Sequence, residues 1–123
     1  MTLNLNYWEL SPREMFDLAT ETDDAQILAE LADFEEYTVH LAIARNKYTN
    51  SETLAKLAGS FYAIIRRYVA RHDNTRPSTL DILSRDSDHT VRAAVAENPN
   101  TSVETRKCLQ SDSNYEVRMA AYR

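Results

Sequence analysis

Apolar positions along this chain return every 26 residues. Val39, Ile65, Val91 and Val117 stand at this spacing, as do Leu31, Leu57, Leu83 and Leu109. Ala44, Ala70 and Ala96 do the same, with Tyr122 in the fourth place. Within each period the apolar residues form two clusters, both at helical spacing. The first cluster holds the pairs Leu28/Leu31, Leu54/Leu57 and Leu80/Leu83, and Arg106 replaces the leading leucine in the fourth copy, which predicts weaker packing there. The second holds Val39/Ala42/Ile43 and Val91/Ala94/Val95, an i, i+3, i+4 stripe. The pattern predicts first helices over 27–32, 53–58, 79–84 and 105–110, and second helices over 37–45, 63–71, 89–97 and 115–123.

Helices of this length are marginal alone, because isolated helices need roughly 12–15 residues in water. Stacked neighbours must supply the buried face, and a fixed period of this size is the signature of such stacking. The expected fold is all-α, a right-handed two-layer helical-repeat solenoid forming one domain over 1–123, with repeats at 21–46, 47–72, 73–98 and 99–123. Residues 1–20 do not follow the period and predict an arm and cap. Leu3, Leu5 and Tyr7 alternate with Asn4 and Asn6, an extended pattern that Trp8 is expected to anchor. Ser11-Pro12-Arg13-Glu14 has the form of a capping box opening a helix to about Thr20, with Met15, Phe16 and Ala19 inward. At the other end Met119 and Tyr122 occupy places held upstream by smaller or polar residues. That end is expected to be covered by another chain, either a second copy or a partner.

The third and fourth periods read Asp86-x-Asp88-x-x-Val91-Arg92-x-x-Val95-Ala96-x-Asn98-Pro99-x-Thr101, then Asp112-x-Asn114-x-x-Val117-Arg118. This pattern resembles the variant leucine-rich repeat and, more broadly, HEAT-like helical repeats. It covers 73–123 well and 21–72 more loosely, since His40 stands for the arginine and Ser60 and Tyr62 stand for the acidic pair. The resemblance implies that one helix of each pair is a short 3₁₀ turn. It also implies a structural ladder in which Arg66, Arg92 and Arg118 pair with Asp86, Asp88 or Asp112 of their own or a neighbouring turn. One member of the resembled family carries an N-terminal iron–sulfur module, which a single cysteine cannot hold. The resemblance bears on fold and leaves function to the surface.

Composition narrows that function. With one Gly and three Pro, loops must be short and built from Asn, Asp, Ser and Thr. Cys108 alone excludes an internal disulfide or a multi-cysteine metal site. The opening residues lack a signal-peptide pattern, and no apolar run approaches the roughly 18 residues of a membrane span, so a cytoplasmic protein without membrane partners is expected. His40, His72 and His89 fall at three different positions of the period, without a second ligand at i+4, and predict no metal. Asp86-Ser87-Asp88 lacks the glycine and terminal glutamate of a calcium loop and is expected to cap a helix. Gly59 alone makes no phosphate loop, and no catalytic carboxylate motif is identifiable. The expectation is therefore a non-enzyme without cofactors.

Charge is uneven. Residues 1–36 hold ten acidic side chains against Arg13 alone, whereas 37–123 hold thirteen basic and nine acidic groups. The favoured reading is a protein–protein interaction module, an adaptor or small inhibitor. It would bind through the exposed second-helix positions Tyr37, Leu41, Arg45, Arg67, Arg71, His89, Ala93 and Met119, with Tyr122 at the end and the acidic N-terminal third. One alternative is nucleic-acid binding through Arg45, Lys47, Lys56, Arg66, Arg67 and Arg71, interleaved with Tyr48, Tyr62 and Tyr68. Another is an acidic inhibitor that mimics nucleic acid by charge. A homodimer through the last repeat is a further possibility.

Overall fold

A computed structural model describes residues 6–123. Among the described residues the chain forms a 3₁₀ turn, Tyr7–Glu9, and nine α-helices with no strand. These are α1 (Pro12–Glu21), α2 (Ala25–Leu31), α3 (Tyr37–Arg45), α4 (Ser51–Leu57), α5 (Ala63–Arg71), α6 (Pro77–Leu83), α7 (His89–Glu97), α8 (Val103–Leu109) and α9 (Tyr115–Tyr122). The second helices α3, α5, α7 and α9 begin where the period predicts. The first helices begin two residues earlier than expected. Asp24, Asn50 and Ser102 cap α2, α4 and α8 from outside the apolar stripe, so the opening polar turn was invisible to hydrophobic spacing. Both helices of every pair are α-helical, and the 3₁₀ expectation drawn from the resemblance does not hold.

The odd-numbered helices pack side by side in chain order, α1 on α3, α3 on α5, α5 on α7 and α7 on α9. Each even-numbered helix packs against the odd helices before and after it. The capping helix α1 therefore stands in the row of second helices. Its capping box is formed: the Ser11 hydroxyl accepts from the Glu14 amide at 3.1 Å, and Glu14 accepts from the Ser11 amide at 3.0 Å. Those bonds hold the Glu14 carboxyl below its usual range. Leu28, Leu31, Leu54 and Leu80 from the first helices meet Val39, Ile65, Val91 and Val117 from the second in one buried core. Burial of each such side chain contributes about 1.5–3 kcal/mol.

The arm departs from expectation. The Leu3/Leu5 alternation lies outside the described residues, and Tyr7 opens the 3₁₀ turn instead of an extended segment. Trp8 is not the anchor. It is 84% exposed and meets only the edge of Phe34, at 5.1 Å between ring centroids. Tyr7 is half-buried, and its hydroxyl donates to Glu30. Burial first, and then that carboxylate, drive the phenol far above its ordinary pKa.

Polar side chains at fixed places in the period join one pair to the next. Asn46 donates from Nδ2 to the carbonyls of Ala19 and Thr22, both at 2.9 Å. Asn98 donates to Ala70 and His72 at 2.8 and 3.0 Å. Between them His72 bonds the Asn46 carbonyl through Nε2 at 2.7 Å, while its Nδ1 accepts from the Asn74 amide at 3.0 Å. An amide can only donate, so the tautomer is set: Nε2 carries the proton and Nδ1 accepts. Three residues further on, Thr49, Thr75 and Thr101 each donate at 2.6 Å to the carbonyls of Ile43, Val69 and Val95. Asn74 and Asn100 reach back to carbonyls of the preceding turn. The leucine-to-Arg106 replacement has a role here as well. Its guanidinium caps the carbonyls of Ala96 and Asn98 at the end of α7. No helix among the described residues is long and apolar enough to cross a membrane.

Asn98→Ala would orphan the Ala70 carbonyl inside the protein and remove one of the two donors to the His72 carbonyl, which keeps its bond from the Thr75 amide. One orphaned group costs about 1–3 kcal/mol, and a loss of about that size is expected in urea unfolding. Thr75→Val, which removes a single hydroxyl donor, is expected to cost about 1 kcal/mol by the same measurement.

Candidate interaction surface

The arginines that follow the buried Ile65 and Val91 are turned inward along the junctions between helix pairs. Arg66 binds Asp86 through Nε and Nη2 at 2.7 and 3.1 Å, and Arg92 binds Asp112 in the same way at 2.8 and 3.1 Å. Both ion pairs are largely buried, with side-chain exposures of 16%/8% and 15%/10%. The remaining Nη1 of each arginine donates six residues back, Arg66 to Ser60 and Arg92 to Asp86, at 2.8 Å in each case. Arg118 repeats this last bond to Asp112 at 2.7 Å and lies over the Tyr115 ring. Each rung thus ties a second helix to its own turn and to the turn of the following pair. The hydrogen bond from Arg92 holds the Asp112 carboxyl below its usual range, and the aspartates raise Arg66 and Arg92. Asp88 is not a rung. It caps α7, accepting from the Thr90 hydroxyl and from the Thr90 amide at 2.7 Å, and these bonds lower its carboxyl. It precedes the helix directly, so its side chain is spent on the first turn.

The first junction has no such rung. His40 is too short to cross and bonds the Ala32 carbonyl at 3.1 Å, and Ser60 stands opposite where an aspartate would be. A groove of about 320 Å³ opens here, lined among others by Glu35, Glu36, Tyr37, His40, Ser60 and Tyr62.

Of the residues expected to bind a partner, Tyr37, Leu41 and Arg45 lie one turn apart along α3, and Arg67 and Arg71 occupy the equivalent places on α5. His89 and Ala93 continue the stripe on α7, and Met119 on α9. Tyr37, Arg45, Arg71, His89 and Met119 are exposed, whereas Leu41, Arg67 and Ala93 are half-buried. Shallow grooves follow the seams of this row. One of about 210 Å³ lies between Phe16 and Leu41, and one of about 310 Å³ between Ala93, Tyr115 and Met119. Tyr122 falls off the stripe. It takes the place of the buried Ala44, Ala70 and Ala96, yet is 67% exposed.

The six basic residues considered for nucleic acid do not gather. Arg66 is consumed by Asp86, and Lys56, on an even-numbered helix, pairs with Asp33. Arg45, Arg67 and Arg71 remain on the odd row, with Arg45 over the Tyr68 ring at 5.6 Å and Lys47 over Tyr48 in the turn beyond. Tyr62 packs instead on Tyr37, at 4.5 Å between ring centroids. Sequence reasoning missed the Asn46/His72/Asn98 column, although it shares the 26-residue spacing, because a polar column carries no hydrophobic signal. It also passed over Phe61, which is 90% exposed beside the groove. No family model, curated protein or solved structure matches this chain.

The lowered Asp112 carboxyl sets the pH dependence of its rung. Its folded pKa lies below the unfolded value, so the rung contributes stability above the usual carboxylate range and loses it as pH falls through the depressed value. Asp112→Asn is expected to cost about 2 kcal/mol at neutral pH and progressively less below about pH 4, measured by urea unfolding across that range.

Proposed function

We propose that this chain is a non-enzymatic protein-binding module of the cytoplasm, an adaptor or small inhibitor. In this reading it is a helical-repeat solenoid of four 26-residue units capped by α1. The observation that carries the reading is how the polar side chains are used. Arg66, Arg92, Asp86, Asp112, Asn46, His72 and Asn98, the groups most suited to chemistry or ligand capture, are bonded between helix pairs. The row of odd helices is left with the exposed side chains of Tyr37, Arg45, Arg71, His89 and Met119, among them the aromatic, arginine and methionine types enriched at protein interfaces. Between copies of the period, the residues facing the core stay constant and those on the stripe vary. A scaffold that presents a specific surface needs that division.

Nucleic-acid binding is the weaker reading. The loss of Arg66 and Lys56 to ion pairs leaves a sparse basic set on an acidic chain. Charge mimicry by the acidic N-terminal third has no observation of its own beyond composition.

A partner captured from the native host should lose affinity by about tenfold or more when Arg71→Ala or Met119→Ala is introduced, read by titration calorimetry with the purified pair. DNA or RNA binding at about 50 mM salt that weakens steeply with added salt and requires Arg45, Arg67 and Arg71 would replace the protein reading.

A further inference from the structure

The missing rung at the first junction leaves more than a gap. At the next two junctions the same position holds a guanidinium, from Arg66 and from Arg92, forked onto a carboxylate. At the first junction His40 and Ser60 supply neither the guanidinium nor its acid, and the groove takes their place. Its volume of about 320 Å³ is roughly ten times a water's share of the liquid, which gives room for a long side chain. Its walls suit a cation. Glu35 and Glu36 line it, and the Glu36 carboxylate makes no capping bond to α3. Both cations at the wall have carboxylate partners: Lys56 forms an exposed ion pair with Asp33, and Arg66, bonded to the Ser60 and Phe61 carbonyls, is paired with Asp86. Tyr37 and Tyr62 pack together at 4.5 Å, and Phe61 stands edge-on to Tyr62 at 5.5 Å, so aromatic faces flank the acids. Carboxylates beside aromatic rings hold a planar guanidinium better than an ammonium, because it stacks and forks at once.

We propose that the groove between His40 and Ser60 receives an arginine side chain from a basic segment of a protein partner, supplying from outside the guanidinium that the other junctions carry within the chain. This rests on the protein-binding reading and names the chemistry of the partner. It also gives the acidic first third of the chain a role, since that segment would draw a basic segment toward the groove.

The test uses the full chain and a fluorescent peptide of alternating arginine and glycine, with citrulline and lysine versions, followed by anisotropy. The arginine peptide is expected to bind saturably and the neutral citrulline version at least about tenfold more weakly. Restoring the rung with His40→Arg and Ser60→Asp should fill the groove, raise the melting temperature and weaken the arginine peptide by about tenfold or more. Tyr62→Ala and Glu36→Gln should each weaken it several-fold, and Val103→Ala, an exposed residue of α8 outside the groove, should leave it unchanged. Absence of saturable binding, equal binding of the citrulline peptide, or undiminished binding by the folded rung-restored variant would overturn the proposal. If that double variant fails to fold, unchanged affinity in both Tyr62→Ala and Glu36→Gln overturns it. A native partner that still depends on Arg71 and Met119 while the arginine peptide fails would sink the groove assignment and leave the module reading standing.

Discussion

Short helices leave their ends unbonded, and the rest of this structure depends on how that need is met. An α-helix has four amides and four carbonyls without internal partners whatever its length. In helices of seven to nine residues these groups are about half of the backbone donors and acceptors. They cannot all face water, because the same helices must bury leucine and valine faces against their neighbours. The chain answers with side chains that cross from one helix pair to the next: the Asn46/His72/Asn98 column, the Thr49/Thr75/Thr101 column and the arginine rungs. Among the described residues no buried side-chain nitrogen or oxygen lacks a partner. Hydrophobic burial supplies most of the stability, and these bonds set the spacing and register of the pairs, because a misaligned pair would leave several groups unsatisfied at once.

That solution constrains function. A histidine whose two nitrogens are both engaged with backbone, or an arginine locked onto an aspartate, is unavailable to a ligand. Exposed side chains of the odd-helix stripe stay free of these bonds, and so does the space at the junction where the rung is absent. The two places differ in character. The stripe mixes aromatic, cationic and methionine side chains, while the first junction is acidic and aromatic. A partner that engages both must present a basic segment next to an apolar one.

The first junction is also where the period is least faithful. Replacing an arginine and an aspartate together, by His40 and Ser60, avoids the cost of leaving either charge buried alone. The same double change leaves space between the turns, because a shorter pair cannot span the distance that the longer one filled. The result is a groove lined by acidic and aromatic side chains. The acidic residues around it are unevenly paired: Asp33 is tied to Lys56, whereas Glu36 makes no capping bond to α3.

Much of the fold was legible in the chain. The spacing of Val39, Ile65, Val91 and Val117 predicted where each second helix begins, and all but the last, which stops at Tyr122, also end where expected, because apolar side chains must lie on one face of a helix to be buried together. Ser11 to Glu14 announced the capping box, a local arrangement of backbone and side chain. The early starts of the first helices were hidden, since their first two residues stand outside the leucine stripe. That Tyr7 and not Trp8 anchors the arm depends on Glu30, which no local pattern connects to it. Direction in the ladder was equally non-local. The sequence presented Arg66, Arg92 and three aspartates without saying which would meet, and only the stacking of pairs put Asp86 and Asp112 in reach while leaving Asp88 at a helix start. The sequence by itself determined the helices and the faces they bury, because those follow from periodicity within a few turns. The tertiary structure alone decided which charges are spent and which junction stays open, because that depends on distances between residues about twenty positions apart.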